Sequence, residues 1–351
     1  MQKFLILVLS LSFIAASCND PFSLTSGEKG VFKSEDAGES FKSVNQLSPT
    51  GSISNVSANN LSFDPKDSKT LYLAASSGIY KTTDGGKLWK FILTGIGVAD
   101  TAINPYNSQI VYAAGISGSN GKIIKSMDGG SSWTDAYTEP SKSNAVLSLA
   151  VSQTNPAIII AGLSTGEIIR SSDSGNTWQA VNDFQDRIIE IRFGPNSAVY
   201  ALTYRSGLYK SADQGLTWAA LTKSLTSNGL FSESSRPLTV SVFYDLALDQ
   251  RQSGVIYLAA EEGLIRSVND GTSWSAINLP VKNASLRVSS VAVSPTNSNN
   301  LFVSIGSTVF KTLNGGITWE TKELRSEQAI RLIMIDSVSP NVVYLGLGEK
   351  K

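Results

Sequence analysis

The chain has 351 residues, and its 29 lysine and arginine residues balance its 29 aspartate and glutamate residues. It contains no histidine and one cysteine, which excludes catalytic pairs of serine or cysteine with histidine and zinc sites built from histidines or several thiolates. A net charge of zero gives no electrostatic support for nucleic-acid binding. The 41% hydrophobic content is that of a folded rather than a disordered chain.

The first eighteen residues predict an export signal. A positively charged start precedes the apolar run 4–16, which at about 1.5 Å per residue is too short to cross a bilayer core of about 30 Å and is typical of a secretory signal peptide. The sequence Ala-Ala-Ser directly before Cys18 resembles a bacterial lipobox, whose cysteine is lipidated. We therefore expect residues 1–17 to be a lipoprotein signal peptide, Cys18 to carry the lipid and residues 18–28 to form a tether. The alternative is an ordinary cleavage site beside a coincidental cysteine.

Residues 29–351 carry seven copies of one eight-residue turn, with Ser or Thr first, Gly fifth and an aromatic residue last. The third positions are Asp36, Asp84, Asp128, Asp173, Asp213, Asn269 and Asn314. The eighth positions are Phe41, Trp89, Trp133, Trp178, Trp218, Trp274 and Trp319, which account for all six tryptophans. The copies are 40 to 56 residues apart, which is the range of one four-stranded propeller blade.

These turns resemble the Asp-box, also called the BNR repeat. Asp and Asn side chains accept backbone N–H groups within their own turn, and Gly tolerates positive φ angles. We expect the boxes to be structural staples of hairpins, with metal ligation or acid catalysis as the alternative. Asn269 and Asn314 replace Asp without spoiling the pattern, which favours a hydrogen-bonding role.

Short β-rich runs around each box define four strands per repeat, named A, B, C and D, with the box between C and D. The chain starts with a C and a D strand around the first box and ends with an A and a B strand at 330–335 and 342–346. Joining these halves gives a seventh blade and removes the open sheet edges. We predict an all-β fold: a single seven-bladed propeller of four-stranded antiparallel blades, closed by N-terminal strands C and D pairing with C-terminal strands A and B.

In this strand order the B–C and D–A loops share one face, where propellers commonly bind. Candidate ligand-binding residues in the B–C loops are Tyr204, Arg205, Glu261 and Glu262. The longest interval between boxes places an insertion at 223–237 in a D–A loop, with the further candidates Phe231 and Arg236. Extended loops are often functional, and tolerated decoration is the alternative.

Alignment of the A strands gives one further column of residues: Asn60, Asp100, Ser148, Glu190, Asp245, Ser290 and Leu332. The three carboxylates of this column could converge in the channel, where crowding would raise a pKa enough for acid catalysis. Alternatively, they line a water-filled channel or pair with the arginines at 187, 192 or 331.

The chain resembles the photosystem II assembly and stability factor-like propellers, which are non-catalytic assembly factors, and more distantly sortilin-type, sialidase and xyloglucanase propellers. An Arg-Ile-Pro segment of the sialidase type is absent from the sequence, so no sialidase residues are carried over. The box is common to all these proteins and specifies a fold rather than an activity.

The resemblance, together with the absence of a recognisable catalytic set, predicts a membrane-tethered binding or assembly scaffold in the bacterial cell envelope. We expect a monomer without cofactor or metal, whose partner is an envelope protein or a surface polymer and not a nucleic acid. The alternative is a glycoside hydrolase or carbohydrate-binding propeller that uses two of Asp100, Glu190 and Asp245.

Overall fold

The computed structural model describes residues 27–223, 225, 230–231, 237–238, 240–281, 286–324 and 326–349. The predicted signal peptide, Cys18, most of the tether and Arg236 lie outside these residues. The described strands form seven four-stranded antiparallel sheets, which confirms the predicted all-β fold with seven blades. In this part of the chain no helix has the length and apolar character that crossing a membrane requires.

The strands are numbered along the chain. Two strands precede blade 1 in the sequence. The first two strands are β1 (Gly30–Ser34) and β2 (Lys42–Ser43). Blade 1 contains β3 (Asn60–Asp64), β4 (Asp67–Ala75), β5 (Gly78–Thr82) and β6 (Lys90–Leu93). Blade 2 contains β7 (Gly97–Ile103), β8 (Val111–Ser117), β9 (Asn120–Ser126) and β10 (Thr134–Lys142). Blade 3 contains β11 (Val146–Val151), β12 (Ile159–Leu163), β13 (Glu167–Ser171) and β14 (Gln179–Asp183).

Blades 4 to 6 repeat this order. Blade 4 contains β15 (Ile188–Phe193), a 3-10 turn (Pro195–Ser197), β16 (Val199–Thr203), β17 (Leu208–Ser211) and β18 (Ala219–Ala220). The insertion contributes a separate pair, β19 (Leu230–Phe231) and β20 (Pro237–Leu238). Blade 5 contains β21 (Phe243–Leu248), β22 (Ile256–Ala260), β23 (Gly263–Ser267) and β24 (Ser275–Ile277). Blade 6 contains β25 (Ser290–Val293), β26 (Leu301–Ile305), β27 (Thr308–Thr312) and β28 (Glu320–Glu323).

Blade 7 is built from both ends of the described chain. The last strands, β29 (Ala329–Ile335) and β30 (Val343–Gly348), join β1 and β2 in the order β2-β1-β30-β29. Strand β1 pairs with β30 from Gly30 opposite Leu347 to Ser34 opposite Val343. The inner strands of successive blades contact one another around the whole circle, including β29 with β3, so the seven sheets form a closed ring.

The apolar core lies between neighbouring blades. The B strands are almost completely buried because both of their faces pack against other blades, as the all-buried strands β12, β16 and β22 illustrate. Phe41 and all six tryptophans that end the boxes join these inter-blade clusters or pack at their edges. Trp89 is fully buried.

The boxes share one hydrogen-bonding pattern, for which blade 2 is an example. Asp128 Oδ1 accepts from Ser126 Oγ and from the Ser132 N–H, each at 2.8 Å, while Asp128 Oδ2 accepts from Ser132 Oγ at 2.5 Å. Asn269 keeps this arrangement, since its Oδ1 accepts the same two types of donor and its Nδ2 donates to Ser273 Oγ at 2.8 Å. The pattern therefore requires a hydrogen-bonding side chain of this length but not a negative charge.

The fourth residue of each box has a left-handed backbone, with φ between 56° and 74°. These residues are Ala37, Gly85, Gly129, Ser174, Gln214, Asp270 and Gly315. In four of these boxes, at Gly85, Gly129, Ser174 and Gln214, the carbonyl of this residue accepts a hydrogen bond from the preceding blade. Lys81 Nζ and Tyr72 Oη of blade 1 donate to the Gly129 carbonyl of blade 2 at 2.8 and 3.1 Å. The boxes thus join neighbouring blades as well as closing their own hairpins.

Candidate functional site: the central channel and its upper mouth

The inner strands carry a β-bulge at one equivalent position in five blades. The bulged residues are Ala99, Leu147, Ile189, Tyr244 and Arg331. A bulge inserts one unpaired residue and re-aims the neighbouring side chains. All five bulged residues line the central channel, which has a volume of about 660 Å³.

In five blades the column residue predicted from the aligned A strands directly follows the bulge. Five of the seven column side chains accept a backbone N–H group of the next blade. The acceptor atoms, each given with the residue whose backbone N–H donates to it, are Asp100 Oδ2 (Leu149, 2.8 Å), Ser148 Oγ (Ile191, 2.9 Å), Glu190 Oε2 (Leu246, 3.1 Å), Asp245 Oδ2 (Val291, 2.9 Å) and Ser290 Oγ (Ile333, 3.1 Å). We call these five bonds the inter-blade belt. The innermost strand of a blade has no sheet neighbour on its channel side, so the belt supplies acceptors to N–H groups that would otherwise be unpaired.

The belt extends to blade 1 and is interrupted beside blade 7. Asn60 Nδ2 donates to Asp100 Oδ1 at 2.6 Å, so the first column residue contributes a donor instead of an acceptor. In blade 7 the column position is Leu332, which offers no polar atom to blade 1. The inner strands of the first and last blades therefore meet through apolar residues, including Leu61 and Leu332, while farther out Tyr344 Oη donates to the Gly85 carbonyl at 3.1 Å.

Glu190 and Asp245 are brought together by one shared donor. The Leu246 N–H lies 3.1 Å from Glu190 Oε2 and 2.9 Å from Asp245 Oδ1. Glu190 Oε1 is ion-paired with Arg192. Burial raises the pKa of Glu190 well above its usual range; the Arg192 guanidinium opposes this shift and the Asp245 charge adds to it. Two adjacent carboxyl groups, one of them with a raised pKa, are an arrangement that general acid catalysis uses.

Asp100 lies apart from this pair, in the inner strand of blade 2. Burial raises its pKa from 3.8 to about 6, although the N–H groups of Leu149 and Thr101 and the Arg192 guanidinium counteract the shift. Both of its oxygens accept hydrogen bonds from the protein. Among the residues that the structure describes, no cluster of three acidic or cysteine side chains could hold a metal ion.

At the face formed by the B–C and D–A loops, which we call the upper mouth, two tyrosine and three arginine side chains form a cluster on the loops of blades 4 to 6. The Tyr204 and Tyr244 rings meet edge to face with centroids 6.3 Å apart. The Arg187 guanidinium lies 4.9 Å from the centroid of the Tyr204 ring, and that of Arg287 lies 4.4 Å from the Tyr244 ring. Glu261 accepts from the Tyr244 hydroxyl at 2.5 Å.

The loop that carries Tyr204 is fixed by backbone hydrogen bonds. The Tyr204 N–H donates to the Arg187 carbonyl, and the Tyr204 carbonyl accepts from the Phe243 N–H, each at 2.9 Å. Asp186 Oδ2 accepts from the N–H groups of Arg205 and Ser206 at 2.7 and 2.6 Å. The Tyr204 ring is therefore held at the mouth by groups from blades 4 and 5.

The four B–C loop residues predicted from the sequence divide into two groups. Tyr204, Arg205 and Glu261 belong to the upper mouth, with the Arg205 guanidinium 5.6 Å from the Tyr204 ring centroid. Glu262 instead holds the adjoining loop, because its Oε1 accepts from the Ser241 N–H at 3.1 Å and from the Ser241 hydroxyl. Phe231 lies in β19, and its side chain is outside the described part of the chain, as is Arg236.

Arg287 was not identified from the sequence as a candidate, although the sequence contains a signal for it. Arg187 and Arg287 each stand three residues before a column position, Glu190 and Ser290. That offset places both residues in D–A loops, shortly before the inner strands β15 and β25.

The fold and the turns define a seven-bladed β-propeller with Asp-box hairpins. No protein-family model matches the chain. Its relatives include a xyloglucanase of Hypocrea jecorina, 26% identical in an alignment over 280 residues that covers 62% of this chain and 32% of that protein. The chain therefore spans about a third of the length of this curated relative.

Solved structures of a GH74 enzyme and of YCF48 resemble the chain. A GH74 enzyme of Niastella koreensis has a TM-score of 0.66 and 20% identity, covering 84% of this chain and 51% of the enzyme. YCF48 bound to a D1 peptide has a TM-score of 0.61 and 16% identity, covering 84% of this chain and 93% of YCF48. YCF48 of Cyanidioschyzon merolae has a TM-score of 0.62 and 14% identity, covering 83% of this chain and 95% of that protein. The predicted resemblance to photosystem II assembly factors and xyloglucanase propellers is confirmed at the level of the fold.

Proposed function

We propose that this propeller is a non-catalytic scaffold that binds a segment of another protein across its upper mouth. The observation that carries the proposal is the fixed group of two tyrosines and three arginines, Arg187, Arg205 and Arg287, around the channel. Tyrosine and arginine are the residue types in which binding energy concentrates at protein interfaces. The likeness to YCF48, which has been solved with a bound D1 peptide, is consistent with a peptide as the ligand.

The inter-blade belt favours binding over catalysis. A carboxylate that acts as nucleophile or base needs an oxygen directed at the substrate. Each oxygen of Asp100 and Asp245 already accepts a hydrogen bond from the protein, and the two oxygens of Glu190 bind Arg192 and the Leu246 N–H. These side chains are placed to connect blades.

A peptide-display selection against the full-length protein tests the scaffold function. We expect enriched peptides whose affinity falls at least tenfold on Tyr204→Ala and is unchanged on Met127→Ala, an exposed residue of a box on the opposite face. Failure to enrich any peptide, or equal loss of binding with both variants, would contradict the proposal.

We further propose that the protein is exported and held at the membrane by a lipid on Cys18. The short apolar leader and its small residues before the cysteine support this. The segment from Cys18 to Glu28 would then reach at most about 35 Å, so the bound partner would lie close to the membrane. Labelling of bacteria with an alkyne-bearing fatty acid should mark the wild type and not Cys18→Ser; an unlabelled wild type would exclude the lipid.

A second candidate function is glycoside hydrolysis in the channel. The shared Leu246 donor of Glu190 and Asp245, together with the raised pKa of Glu190, supports it, as does the similarity to a xyloglucanase. Hydrolysis of xyloglucan or of aryl glycosides by the wild type, abolished by both Glu190→Gln and Asp245→Asn, would establish this function. A wild type inactive on all these substrates would remove it.

A further inference from the structure

We propose that a cavity between the box turns of blades 7 and 1 binds a phosphate group. The cavity has a volume of about 200 Å³. Three lysines line it: Lys33 in β1, Lys42 at the start of β2 and Lys87 in the box of blade 1. The boxes lie on the face opposite the upper mouth, so this inference does not depend on the proposed scaffold function.

The first observation is that strand pairing and the contact between two blades bring the lysines together. Lys33 and Lys42 are directly opposite each other in the β1–β2 pair. Across the blade boundary, the Lys33 ammonium group lies against the box of blade 1, where a Cβ atom on Gly85 would be 3.3 Å from Lys33 Nζ. Lys87 is two residues further along the same box. Like charges directly opposite each other destabilise a sheet, and an anion beside them offsets that repulsion.

The second observation comes from the boundary between blades 6 and 7, where the same positions form ion pairs. Lys311 corresponds to Lys33, since each directly precedes the first residue of a box. Lys311 Nζ lies 2.5 Å from Oε1 of Glu39, in the box of blade 7, and 3.7 Å from Oε2 of Glu320, its cross-strand partner. A lysine in this position is therefore paired with one carboxylate of the next blade and with one of its own blade.

At the boundary between blades 7 and 1 both of these carboxylates are replaced by lysines. Lys87 stands at the sixth position of its box, as Glu39 does. Lys42 is the cross-strand partner of Lys33. Among the residues that the structure describes, neither Lys42 nor Lys87 has a carboxylate oxygen within 4.0 Å of its ammonium nitrogen. This boundary therefore lacks the acidic neighbours that the preceding boundary provides.

The third observation concerns the two acids that also line the cavity. Lys33 Nζ donates to Glu35 Oε1 at 2.8 Å, but 71% of the Glu35 side chain is exposed. This hydrogen bond, together with the charges of the three lysines, lowers the pKa of Glu35. The Asp36 carboxylate accepts from serine groups of its own box. Glu35 is thus the acid that an incoming anion can displace, and the cavity then presents three ammonium groups.

Three lysines around one small cavity suit a phosphate group better than a carboxylate. At pH 7 a phosphate monoester carries a charge of about −1.5 to −2 and three strong acceptor oxygens. Lysine binds phosphate as a point charge, whereas arginine offers the planar fork that matches a carboxylate. Free phosphate and the phosphate monoester of a lipid headgroup present this same chemistry.

Isothermal titration of the full-length protein with inorganic phosphate and with glycerol 3-phosphate tests the site. We expect saturable binding, weakened about tenfold or more by Lys87→Glu, which introduces the charge that Glu39 has in blade 7. Lys87→Gln, which only removes the charge, should weaken binding about threefold. The matched control is Lys90→Gln, which changes an exposed lysine at the position of Lys42 in the next blade, outside the cavity. This control should bind as the wild type does.

The two ligands distinguish the sources of the phosphate group. Tighter binding of glycerol 3-phosphate would support a lipid headgroup, and tighter or equal binding of inorganic phosphate would support the free ion. Four results would overturn the inference: no saturable binding of either ligand, binding of acetate as tight as that of phosphate, unchanged binding by Lys87→Glu, or equal weakening by Lys90→Gln.

Discussion

Asp245 Oδ2 accepts a hydrogen bond from the backbone N–H of Val291, 2.9 Å away in the next blade. The same relationship recurs between four other pairs of blades, so the column that contains the catalytic candidates also connects neighbouring sheets. The channel wall is therefore joined sideways by side chains where backbone pairing is not available.

Removal of one belt acceptor should destabilise the ring. Asp100→Ala leaves the Leu149 and Thr101 N–H groups without their acceptor in a buried site, which costs about 1–3 kcal/mol per unpaired group. We expect a loss of about 2–4 kcal/mol in the free energy of unfolding, measured by urea titration. The matched control is Lys87→Ala on an exposed box turn, which should change stability by less than about 0.5 kcal/mol.

Asp100 should also make stability depend on pH. Its folded pKa of about 6 lies above the unfolded value near 3.8, so its contribution to stability is fully present below about pH 4 and is lost as the pH rises through 6. Relative to the wild type, Asp100→Asn should gain up to about 3 kcal/mol between pH 4 and pH 7. Urea titrations at five pH values would measure this, and a constant difference between the two proteins would refute it.

The boxes should tolerate Asn but not Ala at the third position. Asp128→Asn preserves the bonds that Asn269 makes, so its melting temperature at pH 7 should be close to that of the wild type, while Asp128→Ala should melt at a lower temperature. The hydrogen bond from the Ser132 hydroxyl and others lower the pKa of Asp128 to about 2. Wild-type stability from this group is therefore lost as the pH falls from about 4 through 2, and Asp128→Asn should lose less over that window. Equal acid sensitivity of the two proteins would contradict this assignment.

Two adjacent glycines of one box should differ in their tolerance of alanine. At Gly129, φ is 70° and a Cβ would meet only the ends of the flexible Gln109 and Lys81 side chains at 3.2 and 3.3 Å, so Gly129→Ala should cost about 1 kcal/mol. At Gly130, φ is 96° and a Cβ would lie 2.6 Å from Ile92 Cδ1. We therefore expect Gly130→Ala to cost about 2–3 kcal/mol by denaturant titration, and the reverse order of the two variants would contradict the clash.

The fold could be predicted from the sequence because the turn and strand signals that specify it are local and recur in every blade. Each box combines a turn residue, a glycine and an aromatic residue within eight positions, and strand alternation surrounds it. The half repeats at both ends then allowed only one closure, which the pairing of Gly30 with Leu347 realises.

The role of the channel residues could not be predicted from the sequence in the same way. Alignment of the inner strands found the column containing Asp100, Glu190 and Asp245, but the acceptor role depends on bulges and on the approach of neighbouring blades, which no single strand encodes. The stacking of Arg187 on Tyr204 depends likewise on where two loops of one blade meet above the sheet.

The composite seventh blade has a consequence for the order of events during synthesis. Strand β1 is synthesised before all of blades 1 to 6, whereas its partner β30 is synthesised after them. The apolar residues Val31 and Phe32, which are fully buried in the finished ring, therefore lack their β30 partners Gly346 and Leu345 until blades 1 to 6 have been synthesised. During that interval they need protection from aggregation, and we expect the nascent chain to depend on chaperones until its C-terminal strands are available.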